Sequence, residues 1–122
     1  MKSAKFIAIL LILGLFLNFQ SNAQIVGEGS SVTQKIDLQA ITGIGLGIAA
    51  DVYLTQGSKQ EITIKAQKNI IEVIKKEVRN GSWNIEFDKK VQNHDDIKIY
   101  ITLASIKDLS VGGSGSIVSE GK

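Results

Sequence analysis

In the stretch DVYLTQGSKQEITIKA, residues 51–66, small and large apolar side chains alternate with mostly polar ones, and this pattern indicates two β-strands. Residues 56–58, Gln-Gly-Ser, supply the turn between them. The positions that share the apolar faces are Val52, Leu54, Ile62, Ile64 and Ala66. Because this period of two puts neighbouring side chains on opposite faces, each strand can bury one face and expose the other to water.

The same alternation recurs in SWNIEFD, residues 82–88, and in DIKIYITLA, residues 96–104. The final stretch, SIKDLSVGGSGSIVSEG at residues 105–121, has two short apolar pieces separated by a Gly-Ser cluster. Glycines 112, 113 and 115 allow a bend there between two short strands. Short strands joined by such turns predict a mainly β fold, a parallel β-solenoid or β-helix-like stack.

One segment departs from the period of two. In NIIEVIKKEV, residues 69–78, the apolar positions have helical spacing, and they predict a short α-helix at about 70–75 with Asn69 as its N-cap. Asn80 and Gly81 then predict a tight β-hairpin, because both residues tolerate the positive φ angles of a type I′ turn.

The N-terminus has the pattern of a secretory signal peptide. Lys2 and Lys5 precede an apolar run at residues 6–19, and small residues end at Ala23, after which cleavage is expected. A membrane-spanning helix needs about 20 apolar residues, and Asn18 interrupts this run well short of that length. We therefore predict export to the periplasm, the outer-membrane surface or the medium, with no membrane span after cleavage.

The remaining residues, 24–122, form one small β-rich domain by their length. The full chain has 14 basic and 12 acidic residues, and removal of the two signal-peptide lysines leaves twelve of each. This balance gives no support to a nucleic-acid partner. The chain has no cysteine, which excludes disulfides and thiol chemistry.

Two glycine-rich segments have glycines like those of nucleotide-binding motifs but lack the other features of such motifs. GLGIAA, residues 45–50, fits G-x-G-x-x-A, but a strand pattern follows where a dinucleotide site needs a helix. The segment 110–121 lacks the lysine and hydroxyl residue of a phosphate-binding loop at the required spacing. Both are interpreted as glycines that allow bends or close strand packing.

Catalytic and metal-binding signals are weak. NHDD, residues 93–96, contains the single histidine, His94, and is interpreted as a solvated turn with at most a weak calcium contact. Asp51 is interpreted as a solvent-face carboxylate, with a general base as the alternative. We assign no catalytic, cofactor-binding or metal-ligating residue, and no cofactor.

Three segments in order carry a family resemblance: DVYLTQG, then NIIEVIKKEVRNGSWNI, then LSVGGSGSI. With their surroundings they resemble the "putative auto-transporter adhesin, head GIN domain" family of exported bacterial proteins. The resemblance implies a solenoid-like β stack without enzyme activity, cofactor or known ligand. It also implies that the chain corresponds to the N-terminal half of the family domain and is incomplete at its C-terminal end.

These observations favour a non-enzymatic, exported adhesion or interaction module of the cell envelope, whose partner is an unknown protein or glycan. An uncapped last strand would also allow self-association through the exposed C-terminal edge. One alternative is an exported carbohydrate-acting hydrolase that uses Asp51, Glu86 or Asp95 as paired carboxylates, about 5 to 9.5 Å apart. The other alternative is a truncated copy without independent function.

Overall fold

A computed structural model describes residues 24–120, and the predicted signal peptide at 1–23 lies outside the described residues. About half of the described chain is β-strand and its one helix is short, which confirms the predicted mainly β class. The elements are β1 Ile25–Val26, β2 Ser31–Ile36, β3 Gly43–Leu46, β4 Asp51–Gln56, β5 Glu61–Gln67, α1 Lys68–Glu72, β6 Val78–Arg79, β7 Ser82–Ile85, β8 Val91–Asn93, β9 Lys98–Leu103, β10 Asp108–Val111 and β11 Ser116–Ser119.

The strands form two main sheets and one small one. The five-stranded sheet has the order β11-β4-β9-β5-β2, the four-stranded sheet has the order β10-β3-β7-β6, and β1 pairs with β8. Pairing is parallel within β11-β4-β9 and within β10-β3-β7. It is antiparallel for β2 with β5, β5 with β9, and β6 with β7. Both main sheets are therefore mixed. In each of them, three strands pair in parallel, as predicted, and the others pair antiparallel.

Each parallel strand of the four-stranded sheet continues along the chain to a parallel strand of the five-stranded sheet. We call these pairs rungs: the first is β3 with β4, the second β7 with β9, and the third β10 with β11. In both sheets the first rung lies between the second and the third. The turn at 56–58 therefore joins strands that are not neighbours, because β9 lies between β4 and β5.

The rungs also pair at their corners. Gly47 N–H donates to the Ile85 carbonyl at 3.0 Å, and Gly112 N–H donates to the Leu46 carbonyl at 2.8 Å. At the far side of the corner, Ser116 N–H donates to the Ala50 carbonyl at 3.0 Å. These bonds satisfy backbone groups that would otherwise be left unpaired between the two sheets.

Apolar side chains in register form the core. Ile44 lies beside Trp83 in one sheet, and Val52 lies beside Ile99 in the other. All four side chains are buried, and the Trp83 indole N–H donates to the Lys75 carbonyl at 2.8 Å. Full burial of one such side chain contributes roughly 1.5–3 kcal/mol, so the ladders are the main source of stability.

The helix differs from its prediction. It covers Lys68–Glu72 rather than 70–75, and its N-cap is Gln67, which makes no side-chain capping bond. Asn69, the predicted N-cap, lies inside the helix. Its amide nitrogen donates to the Val26 carbonyl at 2.8 Å, and its amide oxygen accepts from the Glu28 N–H at 3.0 Å. The Asn69 prediction was wrong because this side chain holds the segment after β1 instead of the helix start.

Lys76 binds the C-terminal end of the helix. Its ammonium group donates to the carbonyl of Ile71 in the last turn at 2.6 Å and to that of Ile74, just beyond the helix, at 2.8 Å. Partial burial lowers the pKa of Lys76, and the negative charges of Asp88 and Glu72 act in the opposite direction. The chain then returns to an extended conformation toward β6.

The predicted hairpin is confirmed. Asn80 and Gly81 have φ angles of 53° and 76°, the left-handed region required by a type I′ turn. They join β6 to β7, with Arg79 opposite Ser82. The Gly81 carbonyl also accepts a bond from the Thr42 N–H at 2.8 Å, which attaches the hairpin to the start of the first rung.

The glycine cluster at 112–115 forms the corner of the third rung, as the predicted bend requires. Gly113 has a φ of 72°, a conformation that residues with a Cβ rarely adopt. A Cβ on Gly115 would lie 2.5 Å from the Ile48 carbonyl oxygen and 3.0 Å from that of Ala50. Since both obstacles are backbone atoms of the corner below, only glycine allows the two corners to stack this closely.

We expect Gly115→Ala to destabilise the protein by about 1–3 kcal/mol, because the added methyl forces the third corner away from the first. The matched control is Gly112→Ala, whose Cβ would meet nothing closer than the Leu46 carbonyl oxygen at 3.9 Å. Urea unfolding of both variants measures the difference. Equal stability of the two variants would contradict the stacked-corner geometry.

Candidate functional site

The carboxylates proposed for a hydrolase are only partly brought together. Asp51 begins β4, is exposed, and accepts a hydrogen bond from the Ser116 hydroxyl at 2.9 Å. Asp51 and Asp95 both border an open surface cleft of about 230 Å³. Glu86 lies in a different groove, where its carboxylate is 4.0 Å from the Lys75 ammonium. The exposure of Asp51 is that expected of a solvent-face carboxylate.

The segment 93–96 runs from the end of β8 into the loop before β9, consistent with the predicted turn. His94 Nδ1 lies 2.7 Å from the Asp95 carbonyl oxygen, and its ring meets Phe87 edge to face with centroids 5.8 Å apart. The Asp95 N–H donates to the buried Gln67 side chain at 2.9 Å. Between residues 24 and 120, no group of three or more His, Asp or Glu side chains is arranged to hold a metal ion.

The glycine motif at 45–50 lies at the corner between strands β3 and β4. Gly45 lies within β3, and β4 follows the corner directly, so the dinucleotide motif lacks its helix. A Cβ on Gly45 would lie 2.5 Å from the Asn84 amide oxygen and 3.2 Å from the Ser110 hydroxyl. The glycine therefore gives space to polar side chains of both neighbouring strands, as the packing interpretation requires.

A feature that sequence reasoning missed lies on the outer face of the five-stranded sheet. Tyr53 of β4 and Tyr100 of β9 are register partners, and their rings stack with centroids 5.1 Å apart at an angle of 18°. Val118 continues the row beside Tyr53, and Thr63 continues it beside Tyr100. Tyr100 is 41% exposed and Val118 is 48% exposed. Aromatic, aliphatic and hydroxyl groups thus form one continuous row, in which Tyr100 and Val118 are exposed and Tyr53 and Thr63 are half-buried.

A second row runs beside the tyrosines. Thr55 and Thr102 are register partners on the same outer face. We call the combined surface the tyrosine face, and its residues are Tyr53, Thr55, Thr63, Tyr100, Thr102 and Val118. Because β4 and β9 each pair on both sides, the backbone under this face is held in place before any ligand binds. Such preorganisation reduces the entropic cost of binding.

The four-stranded sheet carries a charged outer groove lined by Lys75, Glu77, Arg79, Asn84 and Glu86. The hydrogen bond from Arg79 to the Glu77 carboxylate at 2.6 Å raises the pKa of the guanidinium group. Both ion pairs in this groove are exposed, and exposed pairs contribute little to stability. Over residues 24–120, no helix has the length and apolar character needed to cross a bilayer.

Residues 40–122 match the protein-family model described as "Putative auto-transporter adhesin, head GIN domain". No curated protein sequence matches the chain at a significant level. The match covers every rung and the whole tyrosine face.

Several solved structures have a similar fold. A "putative adhesin" from Bacteroides fragilis is 26% identical, with a TM-score of 0.67 over 76% of this chain and 44% of its own. One from Parabacteroides merdae is 17% identical, with a TM-score of 0.74 over 80% of this chain and 42% of its own. A "putative lipid binding protein" from Parabacteroides distasonis is 22% identical, with a TM-score of 0.69 over 80% and 44%. The chain spans less than half the length of these structures.

We expect a double-mutant cycle of Tyr53→Leu and Tyr100→Leu to give a coupling free energy of about 0.5–1.5 kcal/mol, because the rings stack on neighbouring strands. Urea unfolding of the wild type, both single variants and the double variant provides the measurement. The cycle of Thr55→Ala and Thr102→Ala, on the same two strands, is the control. Additive effects of the two tyrosine substitutions would contradict the stacked arrangement.

Proposed function

The chain belongs to the family described as "Putative auto-transporter adhesin, head GIN domain", and from this we propose that it is a non-enzymatic, exported interaction module of the cell envelope. Its partner in this proposal is a glycan, which binds at the tyrosine face. Export is inferred from the signal-peptide pattern at residues 1–23, with its two lysines, apolar run and small residues before position 24.

We further propose that the three rungs are part of a parallel β-solenoid. The support is that both sheets repeat the same spatial order of rungs, and that the corners pair through the bonds of Gly47 and Gly112. The antiparallel strands β5 and β2 extend one sheet beyond the second rung, and β6 extends the other. In this arrangement they cover one end of the stack, as terminal caps do in repeat proteins.

A binding role is favoured over a hydrolytic one by the positions of the carboxylates. A glycosidase needs two carboxyl groups on opposite sides of one bond, in a cleft that holds the sugar ring. Glu86 is separated from the other two candidates, and Asp51 is engaged by the Ser116 hydroxyl. The cleft shared by Asp51 and Asp95 is open to solvent and bordered mostly by loop residues.

The observation that carries the proposal is the stacked tyrosine pair, with Tyr100 exposed and Tyr53 half-buried, on a backbone held from both sides. The two rings stack on each other, Thr63 lies beside Tyr100, and Thr55 and Thr102 are the next residues on the same face of the two strands. These groups donate and accept hydrogen bonds, as the hydroxyl groups of a sugar require. Val118, which is exposed, adds an apolar contact for the C–H groups of the sugar ring.

The test is binding of the labelled full chain to an array of bacterial and host polysaccharides. We expect Tyr100→Ser to weaken binding at least about tenfold, because exposed aromatic residues are frequent hot spots in recognition. The matched control is Asn84→Ala, an exposed polar residue on the outer face of the other sheet, which should bind like the wild type.

Two outcomes would overturn the proposal. Binding that resists Tyr100→Ser, or binding to protein ligands without any glycan signal, would remove the tyrosine face as a glycan site. Release of new reducing ends from a bound polysaccharide would show hydrolysis and contradict the non-enzymatic role.

A further inference from the structure

The first strand is short, and several contacts hold it to the body of the protein. Strand β1 pairs with β8, and the Ile25 N–H donates to the Lys90 carbonyl at 2.8 Å. Two residues further on, the Gly27 N–H donates to the Asn93 carbonyl at 2.8 Å. The Ile25 side chain is half-buried and packs against the core. The chain is therefore attached from the first residue of β1 onward.

Two side-chain amides hold the residues that follow β1. The buried Gln67 donates from its amide nitrogen to the Gly29 carbonyl at 2.9 Å. Asn69 binds the Val26 carbonyl and the Glu28 N–H. Loss of this segment would leave the Gln67 amide nitrogen without its partner, and a buried polar group without a partner is costly. The attachment of the N-terminal segment therefore contributes to the stability of the β5–α1 region.

Gln24 lies just outside this attachment. It precedes β1, belongs to no strand or helix, and is exposed. The signal-peptide pattern predicts cleavage directly before it, because the small residues Ser21 and Ala23 occupy the two positions that signal peptidase recognises. On the proposed export route, the mature chain therefore begins with the α-amino group of a glutamine.

An N-terminal glutamine carries an amine and an amide that can react with each other. The α-nitrogen attacks the side-chain carbonyl carbon Cδ, the new C–N bond closes a five-membered lactam, and the Cδ–Nε2 bond breaks. The amine loses one proton, the leaving amide nitrogen gains it, and one ammonia molecule departs, so the step needs no oxidant or reductant. An α-amino group has an ordinary pKa of about 7.7–8.0, so near neutral pH a sizeable part of it is uncharged and nucleophilic.

We propose that Gln24 is a modification site, at which the mature chain carries an N-terminal pyroglutamate instead of a free amine. The proposal rests on the proposed export, since cleavage after Ala23 releases this amine. Because Gln24 is exposed and precedes β1, its amine and its side chain can turn toward each other while the Ile25 N–H keeps its bond. The lactam is uncharged, so the modification removes the positive charge of the new N-terminus.

The modification would protect the attachment of β1. Proteolysis concentrates at chain termini, and enzymes that trim from this end require a free α-amino group. Removal of Gln24 and then of Ile25 would abolish the bond to Lys90 and the core contact of β1. A pyroglutamate at position 24 blocks the first of these steps.

The experiment is intact-mass spectrometry of the full precursor chain, expressed in a bacterium and recovered from the exported fraction, with fragmentation of the N-terminal peptide. We expect the mass of residues 24–122 less one ammonia molecule, with the loss located at Gln24. The matched control is Gln24→Asn, which keeps the amide but could cyclise only to a strained four-membered ring. This variant should keep a free α-amino group and its full mass.

An isotope-labelled peptide with the sequence of residues 24–29, added at harvest, measures cyclisation during preparation. A fraction of cyclised chain no greater than that of the added peptide would overturn the proposal. A free glutamine at position 24 of the exported chain would also overturn it and would leave the proposed export intact. A chain that keeps residues 1–23, or that begins at another residue, would overturn both the modification and the predicted cleavage.

Treatment with an aminopeptidase of broad specificity tests the protective effect. The purified wild type should keep its N-terminus, whereas Gln24→Asn should lose at least its first residue over the same time. Mass spectrometry of both proteins gives the measurement. Equal trimming of the two proteins would contradict a blocked N-terminus at position 24.

Discussion

The register of the first rung against its two neighbours is the constraint on which the other features depend. Ile44 lies between Trp83 and Leu109 in one sheet, and Val52 lies between Ile99 and Ile117 in the other. A shift of one residue would turn these side chains to the opposite face and remove them from the core. The same shift would separate Tyr53 from Tyr100 and move the glycine corner off its neighbour.

The strand order also decides which side chains lie at the two ends of the sheets. At one end, antiparallel strands extend both sheets and carry charged side chains. At the other end, β10 and β11 of the third rung are the last strands of the two sheets among residues 24–120, and Leu109 and Val111 on β10 are exposed.

Local features of the fold could be predicted from the sequence, and the order of strands could not. The period of two located the strands, and Asn80 with Gly81 located the hairpin, because both signals depend on residues close in the chain. The insertion of β9 between β4 and β5 depends on contacts over more than 30 residues, which no local pattern records. Asn69 is a residue type that often caps helices, but its side chain instead forms long-range hydrogen bonds with Val26 and Glu28. The exposure of Asp51 follows from the alternation of side chains within its own strand. The tyrosine pair could not be predicted in this way, because it joins residues that are 47 positions apart in the sequence.

The central claim is that the first rung lies between the other two, and nuclear Overhauser contacts in the isotope-labelled chain test it most directly. The account predicts backbone contacts from β3 to both β7 and β10, and from β4 to both β9 and β11, each in the parallel pattern. Contacts that instead pair β4 with β5 as an antiparallel hairpin, or that place β10 beside β7, would contradict it.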